Sequence, residues 1–175
     1  MDYFDYSYKH NYIEFSSSIY KVGTYHYNWY GETEILILLK GRVEMSCNDE
    51  AFILEPLDAV IISPQVGHST LALEEDVIAF SIRVGHEFYQ QYDPDFGMYQ
   101  FVVRSDESIR HNQFFTTLRH HAAMMMLLMA KGESPVHRMW AEHHYLALAG
   151  DVFREFAPVK FVHENARPGD IKPVT

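Results

Sequence analysis

Between Thr33 and Ser63 the chain carries four short apolar runs, each cut off by turn residues, and this spacing is what most restricts its fold. Thr33–Leu39 ends at Lys40-Gly41, Arg42–Cys47 at Asn48-Asp49, Ala51–Leu54 at Glu55-Pro56-Leu57-Asp58, and Ala59–Ser63 at Pro64–Gly67. No run is long enough to nucleate and bury a helix. Close, even spacing with Gly, Pro, Asn or Asp at every break calls instead for antiparallel strands in a barrel or sandwich.

Further strands are expected on both sides: Tyr12–Tyr20, Val22–Trp29, Ser69–Leu73, Asp76–Val84 and Met98–Arg104. Residues 1–11 show no clear period and are read as an arm, loose or laid over something. Gly85–Phe96 reads as a loop or a short helical connection. The pattern changes near Ser105. From Ile109 to Ala130 there is no Gly or Pro, and Phe115, Leu118, Ala122, Met125 and Met129 recur at helical steps. Gly132 and Pro135 then separate this helix from a second, Val136–Phe156, as an antiparallel pair. The domain reading is a barrel with its arm over 1–104, a helical hairpin over 105–158 and a linker over 159–175.

Composition narrows the function. A formal net charge of -10 opposes any grip on a phosphate backbone by these residues alone. There is no long apolar run and no signal-peptide pattern, so the expectation is a cytoplasmic protein with no membrane partner. The single cysteine, Cys47, excludes an internal disulfide. Tyrosines crowd the first thirty residues, which suits either a ligand pocket or ordinary strand formation.

Three residues stand out as chemistry-bearing: His26, Glu34 and His68. The Glu34 to Gly41 spacing, Leu54-Glu55-Pro56-Leu57-Asp58, and Pro64 to His68 resemble the motifs of the cupins. In that family a His-x-His pair, a Glu and a later His hold a metal inside a jelly-roll barrel. Here His26-Tyr27-Asn28 stands where His-x-His is expected, Leu57 where the turn glycine is, and Ala72 where an Asn is. The order arm, barrel, helix, short loop, helix, linker is similar to the N-terminal effector-binding and dimerisation domain of AraC-type transcription regulators, over roughly residues 20–156.

The resemblance implies a cupin-like double-stranded β-helix (jelly-roll) barrel followed by an antiparallel α-helical pair. It implies a small-molecule effector, in that family often a sugar, bound without a cofactor, and DNA contacted only through a C-terminal domain not in this chain. The candidate effector-binding residues are Tyr25, His26, Tyr27, Trp29, Glu34 and His68. Both helices are apolar over more than one face, so a homodimer is expected through Leu118, Ala122, Met125, Met129, Leu146 and Phe153. The alternative is a metal-dependent cupin enzyme, a dioxygenase or a sugar isomerase or epimerase, with a divalent transition metal on His26, Glu34 and His68. A third reading is a structural dimerisation domain. His120-His121 and His143-His144 lie on consecutive helices; adjacent residues point about 100° apart, so one of each pair at most faces a shared site. They are read as solvent-facing, with a helical metal site or a pH-sensitive interface as alternatives.

Overall fold

The structure is a computed structural model that describes residues 2–10, 13–132 and 134–156. The expected linker over 159–175, and any domain after it, lie outside the described residues.

Among the described residues ten strands form two antiparallel sheets. β1 (Asp2–His10), β2 (Ile13–Lys21), β4 (Glu32–Lys40), β7 (Ala59–Ile62), β9 (Ile78–Gly85) and β10 (Val102–Arg104) make a six-stranded sheet in the order β1-β2-β9-β4-β7-β10. β3 (His26–Asn28), β5 (Val43–Cys47), β6 (Glu50–Leu54) and β8 (His68–Ala72) make a four-stranded sheet in the order β3-β8-β5-β6. The short helix α1 (His86–Gln90) and a 3-10 turn (Phe96–Met98) lead to β10. Then come α2 (Gln113–Ala130) and α3 (Pro135–Phe156). The expected fold class, a cupin-like barrel followed by an antiparallel helical pair, is the one that forms.

β4 explains how the layers are held. Leu36 and Leu38 pack with Val43, Met45, Leu54, Val60 and Ile62 between the two sheets. Ile35 and Ile37 alternate with them and pack with Ile61, Phe80, Ile82 and the helices on the other side. A strand covered on both faces reads as a continuous apolar run, as Ile35–Leu39 does. The six-stranded sheet is therefore a middle layer, and the two cores differ in chemistry. The core under the helices is aromatic, with Phe15, Phe80, Phe96, Phe101, Phe115 and Tyr145, whereas the barrel interior is mainly aliphatic.

α2 starts at Asn112, whose side chain accepts the Phe115 N–H, a cap worth about 1 kcal/mol. Ser134 caps α3 in the same way, accepting the His137 N–H at 3.1 Å. The contacts of His121 with His144 and of Phe114 with Phe156 make the pair antiparallel.

The structure corrects several expectations. Residues 2–10 are not loose but laid along β2 as an edge strand, in continuous register from Phe4 to His10 with an irregularity between Asp2 and Phe4; alternating aromatic and polar residues favour a strand there. The strand expected over Val22–Trp29 shrinks to His26–Asn28, because Val22 donates instead to the Val77 carbonyl and Gly23 accepts from Ala72. Leu118, Ala122 and Met125 are buried within the chain, against the sheet, and so are not exposed to a partner. Met129, Leu146 and Phe153 are half-buried on the same core. The apolar surface left open on the hairpin is Leu127, Val136, Met139 and Trp140.

Candidate functional site

Glu34 is the first inward residue of the Glu34, Leu36, Leu38 row on β4, and its side chain is almost fully buried. His68 opens β8 in the opposite sheet, directly after the Pro64–Gly67 turn, and is equally buried. Glu34 Oε2 and His68 Nε2 meet 2.9 Å apart across the interior. They are close but not aligned as an ordinary hydrogen bond, so each buried atom keeps capacity for a further partner.

The surroundings are polar. Ser81 on β9 donates to Glu34 Oε1 at 2.6 Å. Arg83 is registered opposite Glu34 and lays its guanidinium 4.8 Å from the centre of the Tyr30 ring. The Tyr30 hydroxyl donates to Asn28 Oδ1 at 3.0 Å, and Asn28 is registered opposite His68. Burial, and next the charge of Glu34, push the Tyr30 phenol above its usual pKa, against the opposing effect of Arg83, so it remains a donor at neutral pH. His68 Nδ1 lies 3.3 Å from the Val66 carbonyl, which steadies the ring. Thr70, also buried, follows two residues along β8. One end of the interior thus carries acid, imidazole, guanidinium, amide and hydroxyl groups, while the other end is hydrocarbon.

The four aromatic and histidine positions expected beside this pair lie elsewhere. Tyr25, Tyr27 and Trp29 are 67%, 61% and 62% exposed, and His26 is exposed at the start of β3. Two of them support the site from outside. Trp29 Nε1 donates to the Gln65 carbonyl at 2.9 Å. The Tyr27 hydroxyl crosses Gly67 so closely that a Cβ there would clash with it. Both therefore brace the turn that delivers His68. Asn28, Ser81 and Arg83 are the partners that sequence reasoning missed. The available signal was Ser81 and Arg83, polar positions inside the apolar run Ile78–Val84.

The donors do not complete a metal site. Glu34 and His68 supply two, one short of the three protein ligands of an open catalytic centre. His26 is outside, and the Asn28 oxygen already accepts from Tyr30. Cys47 is registered beside His68, but burial, and next Glu50, push its thiol up to about 11, so it stays protonated and a poor ligand. Among the described residues no group of three or more His, Cys, Asp or Glu is placed to hold a metal. A separate cavity of about 380 Å³, lined by Ile53, Glu55, Pro56, Asp58, Asp106, Glu107 and Arg110, lies at the Leu38 end of β4, away from Glu34. Among the described residues no helix is long and apolar enough to cross a membrane.

No protein-family model matches the chain, and no curated protein does. Similar solved structures include KdgF from Halomonas sp., with 19% identity over 41% of this chain and 68% of that one at a TM-score of 0.36. The cupin domain of Cnp3 from Schizosaccharomyces pombe has 10% identity over 51% of this chain and 69% of that one, at a TM-score of 0.41. A mutant of Bacillus subtilis oxalate decarboxylase OxdC has 19% identity over 42% of this chain and 21% of that one, at a TM-score of 0.35.

Proposed function

We propose that this chain is the ligand-sensing and dimerisation domain of an AraC-type transcription regulator. The barrel takes up a small polar effector beside Glu34 and His68, and the helical pair passes the bound state to a second copy. One observation carries this reading: an acid and an imidazole from opposite sheets meet inside the barrel with buried polar capacity left over. Glu34, Asn28, Ser81 and Arg83 together offer acceptors and donors of the kind that bind a polyhydroxylated molecule such as a sugar. A ligand that bridges the two sheets stabilises the folded state alone, by RT ln(1 + [L]/Kd).

A thermal-shift screen of sugars and hydroxy acids tests it. The expected result is a compound that raises Tm, with the shift lost in Glu34→Gln and in His68→Asn. A binder that keeps full affinity in both variants rejects the site. The metal-dependent enzyme has two of the donors it needs. Stoichiometric Fe, Mn, Ni or Zn in the purified protein, lost in His68→Asn, would replace the sensor reading with that one.

A further inference from the structure

His121 on α2 and His144 on α3 face each other with their Nδ1 atoms 2.9 Å apart. Two imidazoles can share that contact in one way only: one nitrogen carries the proton and the other offers its lone pair. The outer nitrogens differ. His121 Nε2 points toward Asp151, 3.8 Å from its carboxylate, while His144 Nε2 is buried with no partner. The uncharged arrangement that suits both rings has a proton on His121 Nε2, facing Asp151, and one on His144 Nδ1, donating to His121.

We propose that His121 and His144 form a pH-sensitive latch that holds the α2–α3 hairpin closed while both rings are uncharged and releases it as they take up protons. A proton added to His121 turns its Nδ1 into a donor. His144 must then accept, which moves its own proton onto the buried, unpartnered Nε2. A proton added to His144 leaves a charged N–H at that same buried nitrogen. Two added protons set N–H against N–H across 2.9 Å. Every protonated form therefore loses a bond or buries an unpaired donor, and buried unpaired donors are costly.

The other groups facing the pair add to this. His120 and His143 flank it, with ring centres 6.3 Å and 5.2 Å from His144, and each opposes a positive charge on the pair. Asp151 is the one counter-charge acting on the pair among the described residues, and Arg154 at 3.0 Å already draws on it. Burial first, and then the neighbouring histidines, hold both rings below the ordinary histidine value, against Asp151 at His121. A histidine whose folded value is depressed contributes stability that is complete above its unfolded value, about 6.5, and is lost as pH falls through the folded value. Leu118, Met125 and Tyr145 of the hairpin pack on Phe15, Phe80 and Ile82 of the sheet, so release exposes the aromatic core on that side. This goes beyond the effector reading and does not depend on it.

Imidazole titration by NMR, with denaturant unfolding between about pH 7.5 and about pH 5, tests the latch on the whole chain. Expected are two coupled midpoints for His121 and His144, both below about 6.5. The unfolding constant should rise by up to about tenfold per pH unit for each excluded proton, and that slope should flatten in His121→Gln. If His121→Gln does not fold, the parent titration still decides. Independent titration at or above the ordinary value overturns the proposal, as does an unchanged slope in the variant. So does a Zn²⁺- or Ni²⁺-dependent gain in stability that His121→Gln abolishes, since the pair would then be a metal site.

Discussion

Asp58, in the turn before β7, and Arg110, just ahead of α2, form a two-point ion pair, with Nε at 2.8 Å and Nη2 at 3.0 Å from the two carboxylate oxygens. Ser105 joins them: its hydroxyl donates to Asp58 and accepts the Ala59 N–H. The barrel and the helical hairpin are tied at this point.

Arg110→Ala should destabilise the chain by about 2–3 kcal/mol, because the carboxylate stays buried without its counter-charge. Burial pushes the Asp58 carboxyl up, but Arg110, the Glu55 N–H and Ser105 together outweigh it and hold it below the usual carboxylate range. Its contribution is therefore complete above about pH 4 and lost as pH falls through the depressed value. Urea unfolding at neutral pH and again near about pH 3 checks this, and the gap between parent and variant should narrow in acid.

Leu57 occupies the turn position that carries glycine in the cupin motif, and its φ is +74°. A side chain in that region costs about 1–2 kcal/mol, and Leu57 is half exposed, so little packing offsets the strain. Leu57→Gly should stabilise the protein by about 0.5–1 kcal/mol after the greater freedom of glycine in the unfolded chain is subtracted. A lower denaturation midpoint than the parent would show that the Leu57 side chain contributes more than its backbone costs.

On the hairpin, Met139 and Trp140 are 61% and 51% exposed, and Val136 and Leu127 lie at the same end. A homodimer through this surface should split in Trp140→Glu, with the protomer fold retained, because the charge meets a partner's apolar face. Met125→Glu should act differently. Met125 is buried against the sheet, so a charge there unfolds the protomer. Sedimentation with circular dichroism separates the two outcomes, and a monomeric parent chain removes the interface.

The barrel was legible because its information is local. Each apolar run from Thr33 to Ser63 ends in a turn residue, and period-two alternation places Leu36 and Leu38 on one face and Ile35 and Ile37 on the other. Glu34 and His68 were legible as a pair through motif spacing, and the structure places them 2.9 Å apart. Their company was not. Asn28 in place of His26, and Ser81 and Arg83 beside Glu34, depend on how β3, β8, β9 and β4 are registered, and no local pattern encodes that register.

By itself the sequence determined the fold class, the two helices with their break, and the Glu34–His68 pair, since periodicity, turn chemistry and motif spacing act within a few residues. The tertiary structure decided which surfaces are spare. Helical spacing marks Leu118, Ala122 and Met125 as apolar but cannot say whether the chain's own sheet or a second copy covers them. Packing gives them to the sheet and leaves Trp140 and Met139 outside. It also decided that, of the two histidine pairs, His121 and His144 are the ones that touch, because the antiparallel docking of α2 on α3 sets their rotation.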